Sequence, residues 1–132
     1  MIMAHIQSGL KTAALMLKGR MPSQLVIQIT DRCNATCPQC GMRKTSKFDR
    51  TRLSNDQLKE IIDAAGEKGF QAISFTGGEP MLLRKDLPEL IRHAGKAGIP
   101  YIRTGTNGFF FAGHNKPGFK DKVKVIADEL AD

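Results

Sequence analysis

Cys33, Cys37 and Cys40 are the only cysteines of the chain, and all fall within the run Cys33-Asn34-Ala35-Thr36-Cys37-Pro38-Gln39-Cys40. Their C-x3-C-x2-C spacing suits a loop wrapped around a bound group, not two strands stapled by a disulfide. Three thiolates fill three corners of a cubane [4Fe–4S] cluster and leave the fourth iron without a protein ligand. A structural cluster normally takes four cysteines, so an open iron points to chemistry at that corner. Zinc is the other metal such a triplet suits, and it asks for a fourth ligand. The candidates are His5, His93 and His114, none at knuckle spacing from the cysteines. Thiolate is the ligand form in either case, and nearby positive charge from Arg32, Arg43 and Lys44 would favour it.

Two further motifs follow. In Gly77-Gly78-Glu79-Pro80 the glycines let the backbone turn sharply and approach a ligand closely. Exposed carbonyls and the Glu79 carboxylate are acceptors only, which suits an ammonium group. The same residues would also serve as a plain strand-to-helix turn. Then comes Thr106-Asn107-Gly108. Asn-Gly is a strong hairpin signal, so residues 101–105 and 109–112 could pair across it.

In this order and at these spacings, the cysteine loop, G-G-E-P and T-N-G resemble the first three strand ends of the radical S-adenosylmethionine (radical SAM) superfamily. The resemblance covers Leu25 to Asp132. It implies a [4Fe–4S] cluster on Cys33, Cys37 and Cys40, with SAM chelating the open iron through its amino nitrogen and carboxylate. It implies reductive cleavage of SAM to methionine and a 5′-deoxyadenosyl radical, which abstracts hydrogen from a substrate. Gly77, Gly78, Glu79 and Pro80 would hold the methionyl amine, with Thr106 and Asn107 beside them. The family often has an aromatic residue before the last cysteine, near the adenine. Here Gln39 takes that place, which weakens the expected adenine packing. An electron donor such as flavodoxin or ferredoxin is the implied partner, together with a substrate that these residues do not select.

The elements that must position these motifs read as strand–helix units. Residues 2–17 carry Ile6, Leu10, Ala13 and Leu17 on one helical face, ended by Gly19 and Pro22, and predict an amphipathic helix packed on the domain. Residues 24–30 alternate and are rich in β-branched residues, predicting a first strand that runs into the cysteine loop. Ser54 and Gln57 form a capping box for a helix with the stripe Leu58, Ile61, Ile62 and Ala65, ending near Gly66 or Gly69. Residues 72–75 predict a short strand ending at Gly77-Gly78. Asp86 with Glu89 marks another helix start, with stripe Leu87, Leu90, Ile91 and Ala94, ending at Gly95 or Gly98. Residues 99–104 predict the third strand. A last helix follows, with Phe119, Val123, Ile126 and Leu130 on one face.

The expected fold is therefore α/β: a parallel sheet of three β/α units with right-handed crossovers, preceded by an N-terminal helix. It corresponds to the first half of a partial (β/α)6 TIM-like barrel, the arrangement that the resemblance implies. Residues 1–22 would be helix and linker, and 23–132 a truncated core domain. The rows Val26/Gln28/Thr30, Ala72/Ser74/Thr76 and Ile102/Thr104/Thr106 turn polar toward their ends and are predicted to face the concave side, where sites of such folds gather. A sheet that stops at three strands leaves an unpaired edge open to self-association.

Composition narrows the partners. The net charge of +7 is uneven, with eight basic and two acidic residues in the first fifty. Aromatic residues make up 6% and do not interleave with the basic ones, so no base-stacking platform and no nucleic-acid partner is expected. No apolar run reaches the roughly 18 residues that a membrane span needs. The odd, clustered cysteines point to a reducing, cytoplasmic setting. Two alternatives to a radical SAM enzyme stand beside it: a catalytically incomplete iron–sulfur-binding fragment, and a small zinc-binding interaction module.

Overall fold

The computed structural model describes residues 2–19, 23–41 and 51–131. Arg43, Lys44 and Pro22 lie outside them, as does the side chain of His5. Three parallel strands, β1 (Gln24–Thr30), β2 (Ala72–Gly77) and β3 (Tyr101–Thr104), pair in the order β1-β2-β3. Helices alternate with them: α1 (Ile2–Leu17) precedes β1, α2 (Asn55–Glu67) joins β1 to β2, α3 (Leu87–Lys96) joins β2 to β3, and α4 (Phe119–Ala131) follows β3. This is the open α/β sheet of a partial barrel, as the strand–helix pattern predicts.

The alternation in each strand decides what it covers. Ile27 and Ile29 of β1 and Ile73 and Phe75 of β2 point to one face. There they meet Leu58, Ile62 and Ala65 of α2, Leu87, Leu90 and Ala94 of α3, and Ile126 of α4 in a single core. The opposite face is open, and Val26 on it is 59% exposed. The capping box of α2 is formed: Ser54 Oγ accepts from the Gln57 N–H at 3.2 Å, and the Ser54 N–H donates to Gln57 Oε1 at 2.9 Å. Both α2 and α3 stop one turn past their internal glycines, at Gly69 and Gly98, whose φ values of 78° and 83° suit glycine. Gly66 instead lies inside α2, where a Cβ would strike the Ala97 carbonyl, so its smallness lets α2 and α3 pack closely.

Two expectations are corrected. The first concerns β3, which pairs in the register Ala72↔Tyr101, Ser74↔Arg103 and Phe75↔Thr104. Neighbours in register share a face, so Tyr101 and Arg103 join Val26, Gln28 and Ser74 on the open side. Ile102 and Thr104 lie on the covered side, because Ile102 continues the apolar row of Leu25 and Ile73. The second concerns α1. Its Ile6, Leu10 and Leu17 stripe faces solvent, and the helix meets the domain through Leu15, which lies against Gly69. The start of α3 falls where Asp86 and Glu89 mark it, with Asp86 at the N-cap; its carboxylate pairs with Arg52 at 3.2 Å and accepts from Asn55 Nδ2 at 3.4 Å.

Candidate cofactor site

All three motifs gather at the C-terminal end of the parallel strands. β1 delivers the cysteine loop, β2 delivers Gly77-Gly78-Glu79-Pro80, and the chain after β3 delivers Thr106-Asn107-Gly108. The Gly-Gly pair lies hard against the chain leaving β1. The Gly78 N–H donates to the Thr30 carbonyl at 2.8 Å and the Glu79 N–H to the Arg32 carbonyl at 2.9 Å. A Cβ on Gly77 would collide with the Thr30 carbonyl oxygen and one on Gly78 with that of Arg32, and Gly77 has φ of 131°. Only glycine fits both the conformation and the approach.

Glu79 is fully buried. Its Oε1 accepts from the Met81 N–H at 2.9 Å, capping a short 3-10 turn at Pro80–Leu83, and its Oε2 accepts from the Asn107 N–H at 2.6 Å. A buried carboxylate must be hydrogen-bonded within the protein; here one donor is local, two residues on, and the other, the Asn107 N–H, is brought there by the fold. Sequence reading aims this carboxylate at an ammonium ligand. The structure turns it inward, with both oxygens engaged by backbone N–H groups. Pro80 is likewise buried, as the first residue of the 3-10 turn.

Asn107 joins the motifs. Its backbone N–H goes to Glu79, its Oδ1 accepts from the Phe109 N–H at 2.9 Å, and its Nδ2 donates to Asn34 Oδ1 at 2.7 Å. The same Nδ2 reaches Cys33 Sγ at 3.7 Å. Thr106 Oγ1 accepts from the Gly108 N–H at 3.1 Å. Gly108 adopts φ of 75° and leads into a 3-10 turn at Phe109–Phe111, so Asn-Gly here makes a tight turn and not a hairpin. Asn34 is a member of this site that sequence reading misses. It follows the first cysteine with no spacing signal of its own, and its partner is 73 residues away.

The cysteine loop stands clear of the core. Cys33 and Cys37 are exposed, Cys40 is half-buried, all three are free thiols, and Gln39 is exposed in a turn between the last two. Cys33 Sγ accepts from the Ala35 N–H at 3.3 Å, and the Cys40 N–H donates to the Cys37 carbonyl at 3.2 Å. Among the described residues, no group of three His, Cys, Asp or Glu side chains is drawn together as a metal site. The donor set still suits an iron–sulfur cluster: three free thiols within one loop outside the core. His93 is no companion to them, because its Nε2 is paired with Asp63 Oδ1 at 2.7 Å between α2 and α3.

The chain belongs to the radical SAM superfamily, whose pattern matches residues 27–131. It is 36% identical over 110 residues to a probable GTP 3′,8-cyclase of Sulfolobus acidocaldarius, covering 81% of this chain and 34% of that protein. It is 34% identical over 113 residues to the GTP 3′,8-cyclase of Psychromonas ingrahamii, covering 80% and 32%. Identity to the PqqA peptide cyclase of Xanthomonas oryzae is 36% over 87 residues, covering 66% and 23%. The chain thus spans about a third or less of the length of these curated relatives. Proteins of this superfamily generally use a [4Fe–4S] cluster and SAM, and need a reductant and a substrate. No described helix is long and apolar enough to cross a membrane.

Proposed function

We propose that residues 23–132 form the cluster-and-SAM half of a radical SAM enzyme, with residues 1–22 as an appended helix. What carries this reading is the meeting of all three motifs through Asn107 at one end of the sheet. Cys33, Cys37 and Cys40 are the ligands of a [4Fe–4S] cluster. Gly77 and Gly78 offer carbonyls to the methionyl ammonium of SAM, while Glu79 and Pro80 fix the shape of that loop from beneath. Thr106 and Asn107 border the same pocket, and Gln39 stands on its adenine side. When bound, the cluster supplies one electron to the SAM sulfonium, giving methionine and a 5′-deoxyadenosyl radical that takes hydrogen from substrate. The chain's own contribution is to hold the ligand loop against the Gly-Gly segment and to keep its backbone acceptors in place.

The relatives named above are called a GTP cyclase and a peptide cyclase, so their shared segment fits common SAM chemistry better than a common substrate. The substrate of this chain therefore stays open, and the reductant is a flavodoxin- or ferredoxin-like donor in a cytoplasmic setting. A second reading, an iron–sulfur-binding unit without turnover, is favoured by the uncovered sheet face. Val26 and Tyr101 on it are 59% and 54% exposed, and radical chemistry needs exclusion of side reactions. Anaerobic reconstitution with iron and sulfide, then EPR of the reduced protein with and without SAM, tests both. A cluster signal that changes on adding SAM supports the SAM site. A signal indifferent to SAM supports the second reading, and zinc uptake in place of iron overturns both.

A further inference from the structure

We infer that Asn107 is a positioning residue that clamps the cysteine loop to the Gly-Gly-Glu loop and directs an N–H donor at the sulfur of Cys33. This deepens the cofactor-site reading and rests on it for the cluster-bound state. The orientation of the amide is fixed by its surroundings. The Phe109 N–H can only donate, so it holds Asn107 Oδ1 at 2.9 Å and turns Nδ2 the other way. The two Nδ2 hydrogens then meet two acceptors on the cysteine loop, Asn34 Oδ1 at 2.7 Å and Cys33 Sγ at 3.7 Å. The backbone of the same residue is anchored on buried Glu79. One residue, 74 positions along the chain from Cys33, therefore ties that cysteine to the Gly-Gly-Glu loop.

Two consequences follow from the chemistry of that contact. Gathering three thiols around a cluster is easier when one loop end is already held, so the tie pre-orders the ligand nearest β1. A hydrogen bond to a ligand sulfur also stabilises the more reduced, more negative cluster and raises its potential. Cys37 and Cys40 receive no such donor from Asn107, so the effect acts on one corner of the ligand set.

The experiment compares the wild-type chain with Asn107→Asp and Asn34→Ala. Asn107→Asp keeps the acceptor for the Phe109 N–H but replaces the donor facing Cys33 and Asn34 with a negative acceptor. In the cluster-free chain, amide exchange across residues 33–41 is expected to quicken about tenfold in Asn107→Asp, the size of one lost hydrogen bond, while Leu58 and Ile62 stay protected. In the reconstituted chain, Asn107→Asp is expected to lower the midpoint potential in an EPR-monitored titration at unchanged iron and sulfide content. Asn34→Ala is expected to quicken the loop exchange but leave the potential near wild type, because Nδ2 still faces Cys33. Unchanged loop exchange in both variants overturns the clamp, with or without a cluster. An unchanged potential in cluster-loaded Asn107→Asp overturns the donor role. If the wild-type chain takes up no iron and sulfide, the cofactor reading fails, and the exchange comparison still decides the clamp.

Discussion

A carboxylate with no access to water must find its donors inside the protein, and Glu79 finds them in the backbone of two different loops. Glutamine at this position keeps the shape but has a single oxygen. Either the Met81 or the Asn107 N–H would then confront an amide NH2. Glu79→Gln is expected to lose about 1–3 kcal/mol in urea unfolding, the cost of a buried donor left unsatisfied. An unfolding curve superimposable on wild type would mean the carboxylate is dispensable to the loop. At this scale the sequence shows which residues matter better than what they do. Spacing singles out Cys33, Cys37 and Cys40 as candidate ligands, and the residue type of Gly77 and Gly78 anticipates their close approach to the chain leaving β1. The inward turn of Glu79 and the part played by Asn34 are not, because both depend on donors that only the folded sheet brings close.

The helices hold the three strand ends in place through contacts on their outer faces as well as their core stripes. Lys59 of α2 reaches Glu89 of α3 at 2.5 Å, beside the His93–Asp63 pair. The hydrogen bond to Glu89 raises the Lys59 pKa above 10.5, and its counterpart from Lys59 lowers the Glu89 pKa below 4.5. The depressed Glu89 contributes stability that is present above its unfolded value and lost as pH falls through its folded value. The raised Lys59 contributes below its unfolded value and loses that as pH rises through its folded value. The pair lies at the surface, with Lys59 half-buried and Glu89 exposed, so its contribution to stability is small and salt-screened. Lys59→Met is therefore expected to move the Glu89 carboxyl titration, followed by carbon NMR, back up toward 4.5 with little change in melting temperature. A titration midpoint unmoved by the substitution would show that the two side chains do not pair in solution.

Element positions were largely readable from the sequence. The Ser54–Gln57 box, the glycine stops and the apolar stripes of α2 to α4 are local signals with local causes. The orientation of β3 was not readable. Tyr-Ile-Arg-Thr gives both alternations one bulky and one polar member, and only pairing with Ile73 decides that Ile102 faces the helices. The stripe of α1 misleads for a related reason. An apolar periodicity says that a face can be buried, while the neighbouring surface decides whether it is.

Across the whole molecule, the sheet covers one face with helices and leaves the other open, with β3 paired on one side only among the described residues. A short edge strand with an exposed Tyr101 is a template for another chain. Sedimentation velocity over a concentration series is expected to show species larger than the monomer, and Tyr101→Lys on that edge is expected to suppress them. A chain that stays monomeric throughout removes the edge as an association surface. The bond between Glu79 and the Asn107 N–H also carries a consequence for synthesis. A ribosome makes β2 and its glycine loop well before it makes residue 107. Until then the Glu79 carboxylate lacks its second donor, and the loop is held by its backbone bonds to the chain leaving β1 and by the Met81 N–H alone. The nascent chain thus presents its three thiols well before Asn107, and the tie from that residue to the Glu79 loop forms only after the third strand has emerged.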